Sequence, residues 1–176
     1  MGRDRRILLA GSLSHVTVRG NDDRPIVLDN ADRLRLLRRL DEAVDTYGWV
    51  CHIYCLMTNH YHLLVETREP NLDKGMHWLN HVYAKGFNLR HGRRDHVFGK
   101  RYGSKIVTSD DQLIRTVRYI ALNPVKAGLC EHPADWPWSN FGQLRDLAYG
   151  ETESVPDAIR ELVAVGARLA DELVTT

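Results

Sequence analysis

Between Trp49 and Thr67 the chain reads WVCHIYCLMTNHYHLLVET, and few folds accommodate such a stretch. It holds two runs of strand length, Trp49 to Leu56 and His60 to Glu66, joined by a tight connection at Thr58-Asn59. Side chains on a strand alternate between faces, so residues i and i+2 look the same way. His60 and His62 therefore stand side by side, spaced to share one metal ion. Tyr61 points the other way, and Leu63, Leu64 and Val65 carry the strand into a core. Taken alone, the pair reads more simply as two half-buried polar positions. What lies about sixty residues downstream reverses that reading.

The flanking sequence supplies the partners of this hairpin. Ser12 to Arg19 alternates Leu13, His15, Thr17 and Arg19 with Ser14, Val16 and Val18, a strand closed by the Gly20-Asn21-Asp22-Asp23 turn. Asp29 or Asn30 can cap a helix running to about Tyr47, with Leu34, Leu37, Leu40 and Val44 inward and Gly48 as its stop. A second helix is expected over about Leu72 to Arg90, with Met76, Leu79, Val82, Tyr83 and Phe87 buried. Lys105 to Thr108 is strand-like, and Ser109 caps a third helix that Asn123-Pro124 must end or distort. The order β-α-β-β-α-β predicts an α+β, ferredoxin-like split βαβ fold, an antiparallel sheet with helices packed on one face. In that topology the first and third strands are central neighbours, which brings His15 and Arg19 toward His60 and His62.

Composition bounds the rest. With 176 residues, 43% of them hydrophobic, the chain makes one domain with a sizeable core. No apolar run approaches a membrane span, and the basic N-terminus is too short for a signal peptide, so a cytoplasmic protein is expected. Three cysteines give no disulfide framework. A net charge of +1 hides an asymmetry: residues 146–176 carry −5, leaving +6 on residues 1–145. A basic body suits a polyanionic partner, although solvated surface charge accounts for it about as well. The expected organisation is a domain over 1–145 and an acidic, helical C-terminal extension over 146–176.

In RYIALNP, residues 118–124, Tyr119 and Asn123 stand four apart, one turn from each other on one helical face. They can be read as a boundary aromatic and a helix terminator, or as a nucleophile beside a ligand. Cys51 and Cys55 upstream of the histidines imitate a zinc site. On a strand, however, they lie about 13 Å apart, too far for both to reach one ion.

Together these segments resemble the REP-associated tyrosine transposases, relatives of the IS200/IS605 single-tyrosine transposases. The matches are NHYHLLV (59–65), RYIxxNP (118–124) and PWS (137–139), with HVTxRGN (15–21), NLxxGM (71–76), HVF (96–98) and NPVKAGL (123–129) in the family's order. They run from residue 5 to about 145. The resemblance implies an HUH-type endonuclease, two histidines flanking a hydrophobic residue, here Tyr61. It places the nucleophile on Tyr119 and the metal ligands on His60, His62 and Asn123, and two histidines with an amide suit Mg²⁺ or Mn²⁺ in an open, exchangeable site. It implies single-strand cleavage and strand transfer at palindromic repeat hairpins through a 5′-phosphotyrosine. Two neutral imidazoles and an amide leave a divalent ion most of its charge, which suits gripping a phosphate. A phenol, pKa about 10 when free, is a usable nucleophile only near such a positive centre.

Single-stranded or hairpin DNA needs a basic groove with aromatic faces. Candidate contacts are His15, Arg19, Arg93, Arg94, Lys100 and Arg101, with Arg3, Arg5 and Arg6 at the N-terminus. A hairpin-binding protein without cleavage activity remains the alternative, and the sequence leaves open a monomer or a homodimer.

Overall fold

A computed structural model describes residues 9–144. Arg3, Arg5, Arg6 and the expected C-terminal helical extension lie outside the described residues. Four strands, β1 (Ser12–Arg19), β2 (Trp49–Leu56), β3 (His60–Thr67) and β4 (Gly103–Ile106), form one antiparallel sheet in the order β2-β3-β1-β4. This is the split βαβ order, with β1 and β3 central. The last strand sits two residues earlier than the sequence suggested, at Gly103–Ile106 rather than Lys105–Thr108.

The α1 (Asn30–Tyr47) and α2 (Leu72–Arg90) helices connect the strands and cover one face. Asp29 caps α1 by accepting the Asp32 N–H, and Gly48 ends it in the left-handed region at φ 65°. The buried stripe of α1 runs through Leu36, Leu40 and Ala43, while Leu34, expected inside, is 47% exposed. Two leucine sets of helical spacing compete in this Arg-rich helix. Packing on α2 and the sheet centres the stripe on Leu36, Leu40 and fully buried Ala43, with Leu37 and Val44 half-buried at its margin and only Leu34 turned out. Against this layer β1 and β3 present Val16, Val18, Tyr61, Leu63 and Val65. Gly75 of α2 is where the Trp49 indole packs, and any Cβ there would overlap the ring.

The opposite face carries a second, smaller core of Ile53, Cys55, Met57 and Leu64 under Val117, Ile120 and Ala121 of α3 (Asp110–Ala121). The third helix follows the fourth strand and so falls outside the split βαβ unit that positions α1 and α2. A bulge at His52 divides β2: Cys51 pairs with Val65, but Ile53 already pairs with Leu64. The extra residue flips the strand, so Cys51 packs on the α1/α2 core and Cys55 on the α3 core. Two thiols on opposite faces cannot share an ion, which closes the zinc reading a second way. Burial pushes both thiols up to about 12.

The aromatic segment after Pro133 closes the outer edge of β2. Leu56 N–H donates to the Trp138 carbonyl, Tyr54 N–H to Asn140 Oδ1, Asn140 Nδ2 to the His52 carbonyl, and Trp136 Nε1 to the Leu56 carbonyl. Trp136 and Trp138 are half-buried, one against each core.

Candidate active site

Alternation on β1 and β3 sends His15, Thr17, His60 and His62 to the α3 side of the sheet, away from the large core. The register places Arg19 opposite His60 and Thr17 opposite His62. Helix α3 lays its last turn over this polar end. It stops at Ala121, and a short helix α4 (Asn123–Lys126) follows with Pro124 at its start, where a missing N–H costs nothing. The chain stays nearly helical across the junction, because Leu122 N–H still reaches the Arg118 carbonyl. Asn123 therefore remains one turn from Tyr119, its Nδ2 3.5 Å from the Tyr119 carbonyl.

The carboxamide of Asn123 sits between the two imidazoles, with Oδ1 3.1 Å from His60 Nε2 and Nδ2 3.2 Å from His62 Nε2. Tyr119 stands beside them, its ring edge-on to His62 at 5.2 Å and to His15 at 5.7 Å, and is 44% exposed. Lys126 Nζ lies 5.8 Å from the same ring. The four residues singled out in the sequence, His60, His62, Tyr119 and Asn123, thus meet at one place, and His15 joins them.

The hydrogen bonds around the histidines fix where the protons sit. Asn59 Nδ2 donates to the Asp23 carbonyl, which turns Asn59 Oδ1 toward His60 Nδ1 at 2.7 Å. The proton is then on Nδ1, and His60 Nε2 offers a lone pair to the centre. His62 Nε2 accepts from Asn123 Nδ2, so its proton is also on Nδ1, where Thr17 Oγ1 and His15 Nε2 both lie at 3.1 Å. This is the tautomer of a metal-ligating histidine, Nδ1 anchored and the Nε2 lone pair turned to the centre, where in His62 it meets the Asn123 amide. His60 Nε2 and Asn123 Oδ1 are both acceptors, and a cation between them is what would make their approach favourable. The donor set therefore fits a divalent ion. Among the described residues no three His, Cys, Asp or Glu side chains are arranged to hold a metal ion together, so an ion between the two imidazoles would need the Asn123 amide as a further donor, and no carboxylate of such a group would cancel its charge.

Electrostatics keep these rings neutral. Burial, then the nearby His60, His15 and Arg19, drive His62 down to about 3, and burial lowers His60. Burial and the charge on Lys105 lower His15. Thr17, Asn59 and Lys126 were not singled out from the sequence. Thr17 had a signal, since it lies two residues from His15 on the same strand face. Asn59 had only its place at the head of the NHYHLLV match, since its role depends on the carbonyl of Asp23 far away in the chain.

The expected DNA contacts do not form one surface. Arg19 lies at the site but pairs with Asp23 at 2.9 Å. Arg94, Lys100 and Arg101 line a different groove, of about 830 Å³, along the flank of α2 with His77, His81 and Lys85. Arg93 is not part of its lining and instead stacks its guanidinium over Phe87, 5.4 Å from the ring centre.

The chain and its fold have counterparts among known proteins. A Haemophilus influenzae protein assigned as a REP-associated tyrosine transposase is 25% identical over 134 residues, which are 66% of this chain and 76% of that protein. The solved structure of a REP-associated tyrosine transposase bound to a REP hairpin superposes with a TM-score of 0.71 at 21% identity, over 89% of this chain and 93% of the other. No helix among the described residues is long and apolar enough to cross a membrane. Residues 12–123, a span that holds every described strand and His60, His62, Tyr119 and Asn123, match the family described as IS200-like transposases, and the chain belongs to that family of tyrosine transposases, which are DNA nicking and strand-transfer enzymes.

Proposed function

We propose that the protein nicks and rejoins single-stranded DNA at repeat hairpins, with Tyr119 as nucleophile and His60, His62 and Asn123 as ligands of Mg²⁺ or Mn²⁺. The observation that carries this reading is the convergence of both Nε2 lone pairs and the Asn123 amide beside an exposed tyrosine one helical turn away. Hairpin DNA is the partner in the similar solved complex, and the same partner suits this chain's basic grooves.

When bound, the ion supplies positive charge to the non-bridging oxygens of a phosphodiester and so stabilises charge in the transition state. Tyr119 attacks the phosphorus, forming a bond from its phenolic oxygen while the bond to the 3′-oxygen breaks. The phenol proton leaves to solvent and the departing 3′-oxygen takes one up as a hydroxyl. The 5′-phosphotyrosine keeps the phosphodiester's energy, so a later 3′-hydroxyl can displace Tyr119 and rejoin the strand without ATP. His15 and Thr17 hold His62 in the tautomer that offers Nε2, as Asn59 holds His60.

Cleavage of a labelled hairpin with single-stranded flanks tests the assignment. The wild type is expected to form a covalent adduct that EDTA prevents and added Mn²⁺ restores. Tyr119→Phe is expected to form none while binding the hairpin as before. An undiminished adduct in that variant moves the nucleophile elsewhere, and a wild type that binds hairpin DNA without cleaving leaves a binding protein.

A further inference from the structure

Beside Tyr119, on the side away from His60, a groove of about 630 Å³ opens between β4 and α3. Its floor is His15 and Thr17 of β1 with Gly103 of β4, and Lys105 and Arg115 stand on its two walls. Lys105 is exposed, next to His15 across the β1–β4 ladder, and Arg115 is exposed one turn before Tyr119. Neither has an ion-pair partner among the described residues.

Gly103 is the informative residue. Glycine is disfavoured in strands, and it persists there for a bulge, a special backbone angle or the close approach of something else. Gly103 opens β4, and the β1–β4 register runs without a break up to its pair with Thr17, the last of the ladder. Gly103 is not among the glycines at positive φ. A Cβ there would meet only the Thr17 carbonyl oxygen, at 3.8 Å, an ordinary contact. Nothing in the protein's own packing requires the missing side chain, in contrast to Gly75 under Trp49. What the missing side chain creates is a flat patch of backbone at the bottom of a cationic groove that leads to the tyrosine.

We propose that this groove seats the single-stranded nucleotide flanking the scissile phosphate. Its sugar or base lies on Gly103, and Lys105 and Arg115 hold the phosphates on either side. The proposal rests on the nicking activity argued above and adds to it a subsite outside the tyrosine and the metal ligands. It is DNA with a free backbone that fits, because a groove open on one side and cationic on both walls follows a single strand.

The test is equilibrium binding in EDTA, where no cleavage occurs, so that it reads the groove and leaves the nicking assignment to the adduct assay. Two fluorescein-labelled probes are compared, a repeat hairpin with its single-stranded flank and the same hairpin with blunt ends. For the wild type the flank is expected to improve affinity about tenfold, the worth of roughly one seated base. In Gly103→Val that ratio should fall to about one, with a melting temperature equal to or above wild type because valine favours the strand. Lys105→Ala/Arg115→Ala, two changes on exposed side chains, should also lower the ratio and flatten its salt dependence by roughly 0.7 for each charge removed. A wild-type ratio of one, or a ratio that survives in both variants, overturns the proposal.

Discussion

Tyr61 and His62 are neighbours on β3, both almost fully buried, yet they serve opposite ends. Tyr61 faces α1 and α2, where its hydroxyl donates to Asn80 Oδ1 and burial raises the phenol well above its ordinary value. Its polar tip is satisfied and inert. His62 faces α3, where Nδ1 is anchored and Nε2 points at the amide of Asn123. The same contrast runs along β1, where Val16 and Val18 fill the core and His15 and Thr17 build the site. Burial is thus common to both faces. What differs is what meets the buried polar atom: a core-side amide for the Tyr61 hydroxyl, and for His62 Nε2 the amide of Asn123, one turn from exposed Tyr119.

The largest effects should separate the faces cleanly. His60→Ala removes a lone pair from the site and no core contact, so the adduct should disappear while the protein melts near the wild-type temperature. Leu63→Ala, on the other face, opens a cavity in the large core and should cost about 2–5 kcal/mol, lowering the melting temperature by on the order of 10 °C. The fraction that remains folded should cleave at the wild-type rate. A His60→Ala protein that unfolds, or a folded Leu63→Ala protein that has lost cleavage, would mean that the two faces are one energetic unit.

Thr17→Val sharpens the comparison, because it keeps the shape of the side chain and removes only the hydroxyl that faces His62 Nδ1. Loss of such an anchor typically weakens metal affinity about 10–100-fold. The Mn²⁺ concentration that half-restores cleavage after EDTA treatment should rise accordingly, with the rate at saturating Mn²⁺ little changed. An unchanged Mn²⁺ requirement would leave His15 as the sole support of that ring.

Much of this division is legible in the sequence, since alternation alone puts His60 and His62 opposite Leu63 and Val65. Helical spacing places Asn123 one turn from Tyr119, and the element order brings β1 beside β3. What escapes such reading depends on contacts made at a distance. The bulge at His52 inverts half of β2 without any glycine or proline to mark it. Leu34 and Leu36 are equivalent by composition, and only packing on α2 and the sheet decides between them. Asn59 acquires its role because Asp23 turns its amide, and of the cations expected together only Arg94, Lys100 and Arg101 line one groove.

The smallest effect concerns charge on the structural face, where ionised groups tie helices together and take no part in the site. Arg90 at the end of α2 makes a bidentate pair with Asp29 at the start of α1, at 2.9 and 2.6 Å, and reaches Asp32 at 2.6 Å. The Arg90 hydrogen bond, with that from Asp32 N–H, holds Asp29 down at about 2. Burial pushes Asp32 up, but bonds from Leu28 N–H, His91 and Arg90 together keep it below its ordinary value. A carboxylate depressed in the folded state contributes stability that is fully present above its unfolded pKa, about 3.9, and is lost as the pH falls through the folded value. Asp29→Asn keeps the cap of α1, because asparagine caps as well as aspartate, and removes only the charge facing Arg90. The gap in melting temperature between wild type and Asp29→Asn should therefore be constant above about pH 5. It should close as the pH drops from about 4 toward 2, where the wild-type carboxylate is itself protonated. Added salt at pH 7 should narrow the gap as well, since Asp29 is half-exposed. A gap that ignores pH would show that the loss comes from cap geometry, and the ion pair between the two helices would then contribute nothing measurable.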